Sequence, residues 1–260
     1  MKLHLARKAP LKVGVVALVI LTLAVGVALA LTMSNADGKW SNVVASGGSG
    51  YTVGCLYYGN PTNWSTNVNT YQDSNITDEN QARWGGIDDT GDCTPHPSQS
   101  GFGFDGTDGP LEFAAGETFL LGKFTHFNNP VMFTSANYTP ASMNLAITLS
   151  FSDPPALNPV LNYSVLFHET QNDLNPCPYG DSTGAGCDDR VTLPAAIPDQ
   201  TFDIGGVQYT LQIIGFVPDA DGVCPATPAG STSSVYTTGE GQNNYACLYG
   251  QIVLPIDSGD

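Results

Sequence analysis

Two stretches of this 260-residue chain hold the side chains most capable of chemistry. The first is His168-Glu169, Asn172-Asp173 and Cys187-Asp188-Asp189, where a bridge between Cys177 and Cys187 would fold an acidic loop back onto the preceding segment. Carboxylates gathered in that way are the hard oxygen ligands Ca²⁺ takes. Glu169, Asp188 and Asp189 are therefore the candidate metal ligands, and Ca²⁺ is the one cofactor in view. The competing reading is a solvated acidic turn. The second stretch runs from Glu117 to Pro130 and contains Thr125-His126-Phe127-Asn128. On an extended strand Thr125 and His126 point to opposite faces, so they cannot pair as nucleophile and base, whereas His126 and Asn128 share a face. A neutral His126, hydrogen-bonded under a covering loop so as to fix the sheet, is the expectation.

Other chemistry finds less support. The chain has no His-Glu-x-x-His helix, so that common hydrolase template fails, and no catalytic residue is assigned. Asp105, Asp108 and Glu117 could be imagined as a glycosidase pair, but 24 acidic residues make chance proximity common. Tyr57, Tyr58, Trp64 and Trp84 could form a sugar-stacking platform. Of these, Trp84 reads as core, while Trp64 lies in an Asn-rich polar stretch and is the better candidate for exposure.

Charge and cysteine usage bound the setting. Lys2, Arg7, Lys8 and Lys12 precede an apolar run, and every acidic residue follows it. From Asp37 onward four basic residues (Lys39, Arg83, Lys123, Arg190) face 24 acidic ones, a formal charge of −20. Nucleic acid is excluded as a partner, because phosphate binding needs clustered Lys and Arg, and anionic lipid surfaces are disfavoured for the same reason. All six cysteines (Cys55, Cys93, Cys177, Cys187, Cys224, Cys247) also follow the apolar run, which implies an oxidising compartment and three disulfides. Fifteen pairings exist, and short separations favour Cys177–Cys187 and Cys224–Cys247, leaving Cys55–Cys93. Zinc is a weak rival without a Cys-x-x-Cys pair.

The elements that must position these residues read as strands. Val13 to Met33 is uncharged and about as long as a bilayer core requires, so residues 1–36 are a signal peptide or an N-terminal membrane anchor, forming one hydrophobic helix. Small residues at Ala28 and Ala30, and again at Ser34 and Ala36, offer cleavage sites. Residues 37–260 are expected to form one all-β ectodomain, an antiparallel, jelly-roll-like β-sandwich. Its first edge strand runs from Trp40 to Ala45, another spans Tyr51 to Tyr58, and the run beginning at Glu117, apolar on both registers, is the central strand. Met143 to Phe151 and Val160 to His168 alternate with period 2, Gly205-Gly206 marks a tight hairpin, and Leu248 to Ile256 closes the chain.

Several motifs in order resemble the choice-of-anchor K domain, also met as the THxN family of PEP-CTERM-type exported bacterial surface proteins. They are Trp40-Ser41-Asn42-Val43-Val44, Glu79 to Gly85, Phe119 to Asn128, His168-Glu169-Thr170, Cys187-Asp188-Asp189, and Gly239-Glu240-Gly241-Gln242 before Leu248-Tyr249-Gly250. The resemblance implies an exported or cell-surface β-rich domain with a structural or adhesive role and no established activity. The segment Asp257-Ser258-Gly259-Asp260 shows no Pro-Glu-Pro sorting signal, so membrane contact is expected through the N-terminal segment if it is uncleaved. The alternative from another class is a carbohydrate-binding module or a cryptic glycan-active hydrolase, with a surface glycan or protein as ligand.

Overall fold

The computed structural model describes residues 30–60, 63–65, 79–86, 93, 96, 98–131, 138–155, 157–194 and 200–254. Within them the chain is all-β, two antiparallel curled sheets packed face to face. In chain order the strands are β1 (Ala30–Ala45), β2 (Tyr57–Asn60), β3 (Asn63–Ser65), β4 (Asn80–Trp84), β5 (Ser100–Gly106), β6 (Asp108–Ala114) and β7 (Thr118–Asn128). They continue with β8 (Pro140–Asp153), β9 (Val160–His168), β10 (Asp189–Thr192), β11 (Gln200–Ile204), β12 (Val207–Asp219), β13 (Val235–Thr238) and β14 (Gln242–Val253). One sheet has the order β13-β10-β9-β8-β1-β6, the other β11-β12-β14-β7-β5-β4-β2-β3.

Alternation places the core. On β8, Met143, Leu145, Ile147, Leu149 and Phe151 are buried between less buried neighbours, and on β9 Leu161, Tyr163, Val165 and Phe167 do the same. From the facing sheet come Trp84, Phe102, Phe104, Phe119, Leu121, Phe124 and Leu248. The strand β7 is central as its composition predicts, and both its faces are covered. Leu121, Phe124 and His126 look into the sandwich, while Leu120 packs outside against Cys247 and Tyr249 beneath the Cys224 loop. At Gly122 an added Cβ would run into the carbonyl of Asp105, so this close strand approach needs glycine.

The N-terminal boundary differs from the sequence expectation. Residues 30–36 form the first half of β1, and Leu31, Met33 and Ala36 are fully buried core residues. Nor is β1 an edge strand: it lies between β8 and β6, with Leu31 opposite Phe113 and Met33 opposite Leu111. The apolar run conceals this boundary because core strand and leader share one composition. Residues 1–29, with the expected hydrophobic helix, lie outside the described residues. Among the described residues no helix is long and apolar enough to cross a membrane.

Two strand limits also shift. Of the run Tyr51–Tyr58, only the end enters β2, and Val53 makes a lone bridge to Tyr138. The final strand begins at Gln242, earlier than Leu248, because Gln242 to Cys247 pair with Asn128 to Lys123 of β7. The Gly205-Gly206 hairpin forms as expected, with both glycines at positive φ (61° and 85°) between β11 and β12. All three disulfides form in the favoured pairing: Cys55–Cys93, Cys177–Cys187 and Cys224–Cys247.

Candidate metal centre

The inner face of β7 ends in the two residues that alternation puts there. His126 is wholly buried between the sheets, its ring 5.0 Å from Phe167 of the opposite sheet and 5.1 Å from Phe102. It is covered by the facing sheet and not by a loop, a correction to the expectation. Burial, helped by the positive charge of Arg83, lowers its pKa to about 3, so it is neutral at physiological pH. Its Nδ1 shares a 2.8 Å hydrogen bond with Thr238 Oγ1 at the end of β13. Asn128, also fully buried, donates from Nδ2 to the Thr238 carbonyl at 3.3 Å. Thus His126 and Asn128 clip an edge strand of one sheet to the central strand of the other. Thr125 faces the opposite way, donating to Glu79 Oε2 at 2.9 Å.

Thr238 is the last residue before a turn, Gly239-Glu240-Gly241, that carries the chain from β13 to β14 and so from one sheet to the other. Gly241 supplies the positive φ (74°) and donates its N–H to the carbonyl of Asn128 at 2.7 Å. Glu240 is 1% exposed and points inward. In the six-stranded sheet Asp189 opens β10 directly across from Thr238, and Glu169 follows the end of β9. Three carboxylates from three different chain segments therefore converge. One oxygen each from Glu169, Asp189 and Glu240 can be chosen so that all lie within 4.8 Å of one another.

The electrostatics of this cluster are unfavourable as they stand. Burial first, then the charges of Asp189 and Glu240, push the Glu169 carboxyl well above the usual range. Burial raises Asp189 to about 8 against the opposing hydrogen bond from the Thr170 N–H (2.7 Å to Oδ1), and burial raises Glu240 to about 7. Among the described residues no Lys or Arg forms an ion pair with any of the three. Glu169 Oε2, Asp189 Oδ2 and both Glu240 oxygens are buried without a hydrogen-bond donor. So is Oδ1 of Asn128, whose amide stands against the Asp189 carboxyl. Buried acceptors are normally paired, so five in one place call for an account.

The chain matches no family model and no curated protein. The site must be read from its own geometry.

Of the predicted ligands, the structure brings Glu169 and Asp189 together and turns Asp188 away. Successive residues entering β10 alternate, so only one of the pair can face the cluster. Asp188 instead accepts from the Ser182 N–H and Oγ at 2.9 and 2.8 Å, shaping the loop closed by Cys177–Cys187. From the same loop Thr183 Oγ1 donates to the Glu240 carbonyl at 3.0 Å, so Asp188 supports the turn that delivers Glu240. Glu240 is the participant that sequence reasoning missed as a ligand. Its flanking glycines were the available signal, since they leave an acid no neighbouring side chain to shield it. Of the remaining candidates, the Asn172 amide faces Glu240, and Asp173 lines a cavity of about 250 Å³ with Val131, Glu169, Thr170 and Gln171. His168 is exposed and bonded to the Tyr179 hydroxyl at 2.6 Å.

The other conjectured sites come apart. Asp105 pairs with Lys123 at 3.0 Å, Glu117 Oε2 accepts from the Ala114 N–H, and Asp108 is exposed on β6. Tyr58 and Trp84 are core residues and Tyr57 bonds the Cys93 carbonyl, so no stacking platform assembles from these three. Trp64 lies on β3, and its side chain falls outside the described structure.

Proposed function

We propose that this chain is an exported β-sandwich with a structural or adhesive role, released by cleavage after Ala30, and not an enzyme. The observation that carries the reading is the burial of Leu31 and Met33, at 0% exposure, in a core stapled by three disulfides. Of the two small-residue cleavage sites, the one ending at Ala36 would remove both side chains and every residue that β1 contributes to its ladder with β6. The one ending at Ala30 leaves that ladder from Leu31 onward intact. Disulfides also fit an oxidising compartment outside the cytoplasm.

The non-catalytic part rests on where the motif side chains go. His126, Asn128 and Thr238 spend hydrogen bonds on each other inside the sandwich, where all three are buried. For adhesion the supporting feature is a polar surface depression of about 520 Å³ lined by Ser182, Asp219, Tyr236, Gln242, Asn244 and Tyr245. The mass of the exported protein tests the release: a chain beginning at Leu31 is expected, and one retaining residues 1–30 in the membrane fraction would refute cleavage. A glycan array on that protein is expected to be silent. Reproducible hits lost on Tyr245→Ala or Trp64→Ala would replace the structural reading with a carbohydrate-binding one.

A further inference from the structure

We infer that Glu169, Asp189 and Glu240, with the side-chain carbonyl of Asn128, form a Ca²⁺ site that locks the two sheets together at one end of the sandwich. The donor set is all oxygen, three carboxylates and one amide carbonyl, which selects a hard cation over Zn²⁺ or Cu²⁺. The spacing also fits. Two oxygens bound to one Ca²⁺ at about 2.4 Å can be at most about 4.8 Å apart, the span within which the three carboxylates place one oxygen each. Mg²⁺, at about 2.1 Å, would need the cluster to contract.

An acidic cluster alone would not suffice, and two independent features point to a cation here. First, Asn128 is fully buried, its Nδ2 serves the Thr238 carbonyl and the Asp189 carboxyl, and its Oδ1 is left without a donor. A buried amide oxygen without a donor, on a side chain that already touches Asp189, is a group that a cation would satisfy. Second, four carboxylate oxygens here are buried without a well-formed hydrogen bond, with only the Asn172 amide and the Gly241 N–H standing near Glu240, while the sandwich supplies no Lys or Arg to them among the described residues. The cavity beside Glu169 gives an ion and its remaining waters a route in. His126 is not a ligand. Through Thr238 it positions the strand end that carries Glu240, which gives the buried Thr-His-x-Asn run a reason to hold both polar residues on one face.

The test uses the exported, disulfide-bonded protein with its native N-terminus, in roughly 0.3 M NaCl so that general screening of an acidic surface is already complete. Calorimetric titration with CaCl₂ is expected to show one site with a Kd of about 0.1–1 mM, the range of extracellular modules. At 10 mM Ca²⁺ the melting temperature is then expected to rise by about 3–10 °C over EDTA, with a smaller rise in MgCl₂. Glu240→Gln is expected to abolish the rise while melting no lower than wild type in EDTA, which separates a lost ligand from a damaged fold. Asp188→Asn is expected to keep it. Identical melting of wild type in Ca²⁺ and EDTA, or a full Ca²⁺ response in both Glu240→Gln and Asp189→Asn, would overturn the site. Neither readout depends on where the leader is cut, so the export reading can fail without touching this one.

Discussion

Strand β7 touches acidic groups on both of its faces, and the two clusters are solved differently. On the outer face Glu79 accepts from Gln81 Nε2 at 2.7 Å and from Thr125 Oγ1 at 2.9 Å, and Lys123 reaches Glu79 and Asp105 at 3.7 and 3.0 Å. Arg83 stands in the same row, donating to Gln81 at 2.9 Å and lying over the Phe127 ring. Gly101 and Gly103 on β5 make room for them, since a Cβ at either would strike Arg83 or Glu79. This cluster carries its own counter-charge. At the inner end, Glu169, Asp189 and Glu240 have neither a basic partner nor enough donors. An acid cluster with a built-in cation is a finished structural unit, whereas one without is completed by a proton or a metal from solvent.

The largest effect is expected where the two faces share a backbone, at the neighbours His126 and Thr125. His126→Ala empties a wholly buried site among Phe102, Phe167 and Trp84 and leaves Thr238 Oγ1 without its partner. Cavity and lost hydrogen bond together should cost about 3–4 kcal/mol. Thr125→Ala, which loses one hydroxyl bond to Glu79, should cost about 1 kcal/mol. Urea unfolding of both variants checks the ranking. Equal losses would mean that the inner face is no more constrained than the outer.

Next in size is the bridge that braces only the inner cluster. Cys177–Cys187 closes a short loop, with a sequence separation of 10, and the chain-entropy account gives about 2.7 kcal/mol for it. Replacing both cysteines with serine should destabilise by about that amount. Because Thr183 and Asp188 of this loop steady Glu240 and its turn, the Ca²⁺ response should weaken too. The same replacement at Cys55 and Cys93, which does not brace that turn, should leave the response unchanged. Melting curves in Ca²⁺ and EDTA distinguish the pairs.

How much of this was legible depends on whether the signal was local. The alternation in Met143–Phe151 and the shared face of His126 and Asn128 follow from the two-residue repeat of a strand, so they emerge correctly from sequence. Disulfide pairing was legible because short loops close most readily. The start of β1 was not, since Leu31 and Met33 continue an apolar run without any breaker. Asp188 and Asp189 looked equivalent as neighbours, yet alternation lets one in and sends the other to Ser182. Glu240 joins Asp189 only because β13 pairs with β10, a contact over some fifty residues that no local pattern announces. Short strands such as β10 and β13, four residues each, lack the length to show a period.

A matched pair of substitutions would sharpen the contrast further. Glu79→Gln removes a charge that Lys123 and two hydrogen-bonding neighbours, Gln81 and Thr125, expect, so it should destabilise by about 1–2 kcal/mol. In EDTA, Glu240→Gln removes one of three converging buried carboxyl groups and should be neutral or stabilising by about 1 kcal/mol. The same chemical change thus carries opposite signs in the two clusters. Denaturant midpoints measured side by side decide it, and a loss at both positions would contradict the distinction.

The smallest effect tests the finished cluster through pH. Burial alone would lower the Lys123 pKa, but the hydrogen bond and charge of Asp105, with Glu79, outweigh it and hold the ammonium above its ordinary value. A group whose folded pKa exceeds its unfolded one stabilises fully below the unfolded value, about 10.4 for lysine, and loses that contribution as pH rises through the folded value. Between pH 9 and pH 11.5 the wild type should therefore lose slightly more stability than Lys123→Met. Because Lys123 and Asp105 are partly exposed, the difference should stay below about 1 kcal/mol. Buried tyrosines such as Tyr58, whose pKa burial raises to about 12, also destabilise the fold in this range, which is why the comparison with Lys123→Met is needed. Parallel pH profiles for the two proteins would mean that Lys123 leaves Glu79 and Asp105 as uncompensated as the acids at the other end of the strand.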